Sequence, residues 1–143
     1  MDAVLIVFGA EMKGGGKLAR LVSVPVINGV VREDCTFDAK VSPDASAVEI
    51  VTTFKRYCRD HALASHEAAA FVELARGTCG GWPAEVQELA PTAAHLHGPD
   101  GLKRLRESAG VKSLSRTDYL QRTTAIAKLF RQVQIDRDAQ SEF

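Results

Sequence analysis

Six consecutive apolar residues near the start of the chain, Ala3-Val4-Leu5-Ile6-Val7-Phe8, constrain the fold more than any other feature. Rich in β-branched side chains and followed at once by Gly9, the run describes a β-strand buried on both faces. A strand of that kind needs cover above and below, so its sheet must be flanked by helices. The chain has 143 residues, 45% hydrophobic and 25% charged. That is the balance of an ordinary globular domain with room for one core.

The remaining pattern supplies the sheet and its cover. Gly9 to Gly16 holds four glycines in eight residues and is expected to break the first strand as a flexible loop. Leu18 to Ile27 reads as a second strand, Asn28-Gly29 as a two-residue type I′ turn, and Val30 to Val41 as a third strand. Pro25 speaks against a central place for its stretch unless a bulge or an unused N–H position accommodates it. Val48, Val51, Phe54, Tyr57 and Cys58 recur at helical steps, predicting a helix from Ala47 to about Arg59. Ala62-Leu63-Ala64 predicts a fourth strand, and His66 to Arg76 a helix ended by Gly77. Ala84 to Leu89 fits strand or helix, and Pro91 opens a short piece ending at His97-Gly98-Pro99. Asp100 is placed to cap a helix that runs to Ala109, with Leu102, Leu105 and Ala109 inward and Gly110 as its stop. A last helix is expected from about Thr117 to Val133, with Leu120, Ala127, Phe130 and Val133 inward. The fold class is α/β: a mixed sheet, three antiparallel strands first and then parallel ones, flanked by helices. Residues 1–135 form one domain in this reading, and 136–143 a C-terminal tail.

No apolar run approaches the roughly 18 residues of a membrane span. Met1-Asp2-Ala3 is acidic where a signal peptide is basic, and Cys35, Cys58 and Cys79 are odd in number and widely spaced. Free thiols and a cytoplasmic location are therefore expected. The 18 basic and 18 acidic residues cancel, yet Lys103, Arg104, Arg106, Lys112, Arg116, Arg122, Lys128 and Arg131 face only Glu107 and Asp118 between residues 101 and 131. A basic C-terminal third attracts phosphates or an acidic protein face; as two amphipathic helices it would simply wear its charges on the wet side.

Local motifs with a known chemistry are weak. A Walker A loop needs Gly, four residues, then Gly-Lys-Ser/Thr, whereas here Gly14-Gly15 stand at that point and Lys17 precedes Leu18. His61 with His66, or His95 with His97, lacks the spacing of a zinc array. Cys79 has no placed base to activate it, and Trp82 is most simply an anchor in the core or an interface.

Read together, several segments carry a resemblance. Leu5-Ile6-Val7-Phe8-Gly9-Ala10-Glu11 is similar to a strand ending in Asp-X-Glu, and Arg20 to Val31 to the hairpin that follows it. Phe37 to Pro43 is similar to a third-strand ending, and Ala62 to Val72 to a strand running into His-Asn-X-X-Phe-Asp. Gly101 to Val111 matches a penultimate helix, and Thr117 to Phe130 a final one. Over most of its length the chain thus resembles the DEDD-type (DnaQ-like) 3′–5′ exonucleases, with a shortened segment before the second motif. The resemblance implies an RNase H-like fold. It also implies a site where four carboxylates hold two divalent ions about 4 Å apart. On these motifs the four acid positions are Gly9, Glu11, Val72 and Arg122, and the general-base histidine falls near Thr117. One acid remains, with Asp118 the alternative for the fourth. The vestigial site is Gly9, Glu11, Val72, Thr117 and Arg122, with no metal and no other cofactor.

The resemblance therefore implies a catalytically inactive exonuclease-like domain that works by binding. Its expected partners are single-stranded nucleic acid, held by Lys103, Arg104, Lys112, Arg116 and Arg122, or a protein, including a second copy in a homodimer. The alternative is an active 3′–5′ exonuclease with a rearranged site that uses magnesium or manganese.

Overall fold

The computed structural model of the protein describes residues 2–141. β1 (Val4–Lys13) does not stop at Phe8 but continues through Gly9 and Glu11, and turns at Gly14–Gly16 into β2 (Lys17–Ile27). The segment expected as a flexible loop is thus half strand and half hairpin tip. Pairing is the reason: β2 lies antiparallel to β1 from Val4 opposite Ile27 to Lys13 opposite Lys17, and its backbone takes up the donors and acceptors of the glycine-rich half. Glu11 faces Arg20 and Met12 faces Leu18, so Ala19 is an extra residue, a bulge near the tip.

The Asn28-Gly29 turn has φ of 52° and 78°, the left-handed pair that a type I′ turn demands. The third strand, expected unbroken from Val30 to Val41, is split into β3 (Val30–Val31) and β4 (Phe37–Lys40) by a 3-10 turn at Glu33–Cys35. Pro25 accounts for the split. Its carbonyl accepts from Arg32 N (2.9 Å), so it faces this edge, where it has no N–H to offer. The neighbouring strand leaves the ladder after Val31 and rejoins it at Phe37, opposite Ser23.

On the other side of β1, β5 (Ala62–Ser65) and β6 (Gln87–Glu88) run parallel to it, giving the order β3-β2-β1-β5-β6, with β4 also on β2. The sheet is mixed and flanked by helices. One face carries α1 (Ala47–Cys58) and α2 (Ala69–Cys79); the other carries α3 (Leu89–His97), α4 (Gly101–Ala109) and α5 (Tyr119–Ser141). β1 feeds both cores by alternation: Ile6 and Phe8 toward α1 and α2, Leu5 and Val7 toward α5. Phe8 lies 4.8 Å from Phe71 and 5.8 Å from Phe54, ring centre to ring centre. Each such buried ring contributes roughly 2–3 kcal/mol of burial.

Helix caps and boundaries depart from the sequence pattern in α2, which begins at Ala69 instead of His66, and in α4 and α5. The Ser46 hydroxyl caps α1 by accepting from Glu49 N (3.2 Å), but Asp100 makes no side-chain cap for α4. α2 runs through Gly77 and ends at the left-handed Gly80. α5 begins at Tyr119, and Leu120 on it is 38% exposed instead of inward. Of the tail expected at 136–143, residues 136–141 are the last turns of α5, and 142–143 lie outside the described residues. Asp136 meets His97 (Oδ2–Nε2 2.7 Å) and Gln140 donates to Leu96 O (3.2 Å), so tertiary bonds hold these turns against α3. Among the described residues no helix is long and apolar enough to cross a membrane.

Candidate functional site

A cavity of about 380 Å³ opens at the carboxyl end of β5, where its parallel pairing with β1 stops and β1 runs on. Open α/β sheets hold ligands at such carboxyl ends, because the backbone there turns away and leaves a crevice. Gly9 and Ala10 line it from β1, His66 and Glu67 from the β5–α2 connection, and Tyr119 and Arg122 from the first turn of α5. The Ser65 hydroxyl fixes the connection: it is buried, donates to Phe8 O (2.8 Å) and lies 3.2 Å from Glu67 O.

Strand alternation puts Gly9 on the α5 face, where α5 has moved close. A Cβ placed on Gly9 would stand 2.7 Å from Thr123 Oγ1, nearer than side chains approach. Thr123 is fully buried and its hydroxyl has no hydrogen-bond partner. The position that the exonuclease resemblance assigns to the first acid therefore has no room for any side chain while Thr123 stays where it is.

Arg122 lies one residue before that contact, with Nη1 donating to Ser115 O (3.3 Å). His66 is half-buried and its Nδ1 is buried without a partner. Burial holds the imidazole below its ordinary pKa, and the positive charge of Arg122 pushes the same way against Glu67 and Glu88. At neutral pH the cavity thus presents a guanidinium, a neutral imidazole, a tyrosine and one exposed carboxylate, Glu67.

The other expected site residues lie elsewhere. Glu11 does not line the cavity; it stands opposite Arg20 in the hairpin. Arg20 in turn binds both Asp38 oxygens (2.8 and 2.6 Å). That hydrogen bonding, with the charges of Asp38, Asp118 and Glu11, raises the Arg20 pKa against burial, so the remaining acid belongs to a charge cluster around one arginine. Val72 packs into the α1–α2 core. Thr117 and Arg116 are exposed in the bend before α5. Asp118, the alternative fourth acid, caps α5 by accepting from Gln121 N (3.1 Å). Of Gly9, Glu11, Val72, Thr117 and Arg122, the fold brings Gly9 and Arg122 together at the cavity.

A magnesium pair does not fit this lining. Magnesium takes hard oxygen ligands, whereas Gly9 offers no side chain and Arg122 a cation. Among the described residues no three His, Cys, Asp or Glu side chains are grouped to hold a metal ion. Of the expected basic residues, Arg122 lines the cavity and Lys103, Arg104, Lys112 and Arg116 do not. Lys103 and Lys112 line a separate groove beside α4, and Arg104 lines neither that groove nor the cavity.

Sequence reasoning missed Tyr119 as a cavity residue and weighed His66 only as a zinc ligand or part of a strand–helix motif. The signal for Tyr119 was the helical step joining it to Arg122 and Ile126, all on one face of α5. No protein-family model matches the chain, and no curated protein matches it.

Proposed function

We propose that this chain is a non-catalytic domain of RNase H-like, exonuclease-like architecture that binds an end or a flexed stretch of single-stranded nucleic acid in the cavity between β1, β5 and α5. The sheet supports the architecture: four strands in antiparallel pairing, β1 to β4, come first, followed by two strands parallel to β1 on its other side. One observation carries the function. Arg122 lines the crevice at the carboxyl end of β5 while Thr123 closes the acid position at Gly9. A guanidinium there pairs with a phosphate through charge-assisted hydrogen bonds, where a metal-dependent nuclease would need carboxylates. Tyr119 adds a ring against which one base can stack.

The test is fluorescence anisotropy with labelled single-stranded DNA and RNA at 50 and 200 mM salt. We expect binding that weakens steeply with salt and falls by about tenfold or more in Arg122→Glu, the scale of one charged hydrogen bond. No binding at 50 mM salt, or binding indifferent to Arg122→Glu, would remove nucleic acid from the cavity. Incubation with magnesium or manganese separates the catalytic alternative. Loss of 3′ nucleotides that Glu11→Ala abolishes would make the chain an exonuclease and overturn the non-catalytic reading.

A further inference from the structure

Beside α4 lies a groove of about 700 Å³ that is separate from the cavity. Its floor is apolar, built by Leu102 of α4 and by Gly110 and Val111 after it; Lys103, Arg106 and Lys112 stand around it against one acid, Glu107. Arg106 donates to the Lys112 carbonyl, which ties the segment after α4 back onto the helix and makes the groove part of the fold. Lys103 and Lys112 are exposed, and neither is in an ion pair among the described residues.

We propose that this groove docks a protein partner through an acidic peptide segment carrying one apolar anchor side chain. Charge complementarity selects the occupant. A cationic rim around an apolar floor rewards carboxylates at the edge and a Leu-, Ile- or Phe-like side chain at the centre. Nucleic acid fits less well, because no aromatic residue lines the groove for base stacking and an apolar floor gains nothing from phosphates. This interaction is independent of Arg122 and of the cavity.

The experiment uses the full chain on an immobilised array of random dodecapeptides, followed by anisotropy titration of the best labelled peptides. Bound peptides should be enriched in Asp and Glu flanking Leu, Ile or Phe. The double variant Lys103→Glu/Lys112→Glu should weaken them at least tenfold, while Arg122→Glu leaves them unchanged. Both lysines are solvent-exposed, and circular dichroism checks that the variants are folded. No enrichment of acidic peptides, or undiminished binding by the double variant, would overturn the proposal. So would a double variant that loses single-stranded DNA instead of peptide, which would assign the groove to nucleic acid. Because Arg122→Glu is read in the same series, failure of the groove and failure of the cavity are distinguishable.

Discussion

Thr123 Oγ1 occupies the space that a Cβ on Gly9 would need, 2.7 Å from where that atom would sit. The two residues belong to elements far apart in the chain, β1 and α5, and the contact sets how closely the helix rides on the sheet beside the cavity. Nothing larger than glycine fits unless the Thr123 side chain or α5 itself shifts.

The first prediction follows directly. Gly9→Ala should destabilise the protein by about 1–3 kcal/mol, the usual cost of overpacking a filled site. Thr123→Ala in the same chain should restore part of that loss, because it removes the clashing oxygen. Urea denaturation of the two single variants and the double variant measures the coupling. Additive losses would mean that the contact is not what limits position 9. Gly9→Asp, with or without Arg122→Asp, should yield destabilised protein and no metal-dependent nuclease.

His66 should titrate with a midpoint below the ordinary histidine value of about 6.5, because burial and Arg122 both disfavour its charged form. The depressed folded pKa fixes the sign. The contribution is complete above about pH 6.5, where folded and unfolded forms are both neutral, and is lost as the pH falls through the folded value. NMR titration of the imidazole gives the midpoint. Arg122→Met should raise it, and a bound oligonucleotide phosphate should raise it too; a midpoint at or above 6.5 in the free protein would contradict the burial of this ring.

The His97–Asp136 bond, 2.7 Å long and reinforced by Gln132 donating to the other Asp136 oxygen (2.8 Å), anchors the end of α5 to α3. Both side chains are largely buried, at 13% and 20% exposure. His97→Ala should cost on the order of 1–2 kcal/mol. It should also speed hydrogen exchange in α3 and in residues 134–141 before it affects β1. Unchanged exchange at the end of α5 would show that packing alone holds those turns.

Thiol labelling should divide the three cysteines. Cys58 is fully buried, and burial pushes its thiol up to about 12, so almost no thiolate forms at neutral pH. Cys35 and Cys79 are partly exposed. A thiol reagent at pH 8 should modify Cys35 and Cys79 in the folded protein and reach Cys58 only on unfolding. Labelling of Cys58 at the rate of the other two would disprove its burial.

The sequence by itself determined the elements whose pattern is local. The apolar run at Leu5–Phe8 required cover on both faces, Asn28-Gly29 required a tight hairpin, and the helical spacing from Val48 to Cys58 required a helix against the sheet. Each depends on periodicity or on backbone conformations that few residues adopt. Tertiary structure decided what depends on a partner. Whether Gly9 to Lys13 was loop or strand rested on β2 lying alongside. The break in the third strand rested on the edge to which Pro25 turns its missing donor. Residues 136–141 became helix held in place because His97 and Leu96 waited on α3. The site divided along the same line. Arg122 and Gly9 were legible as departures from an acid-bearing motif, but only packing across more than 100 residues could show Thr123 filling the space at Gly9, because which side chains share a volume is set by how helices dock on a sheet, and only the register of the β1–β2 hairpin could show Glu11 opposite Arg20.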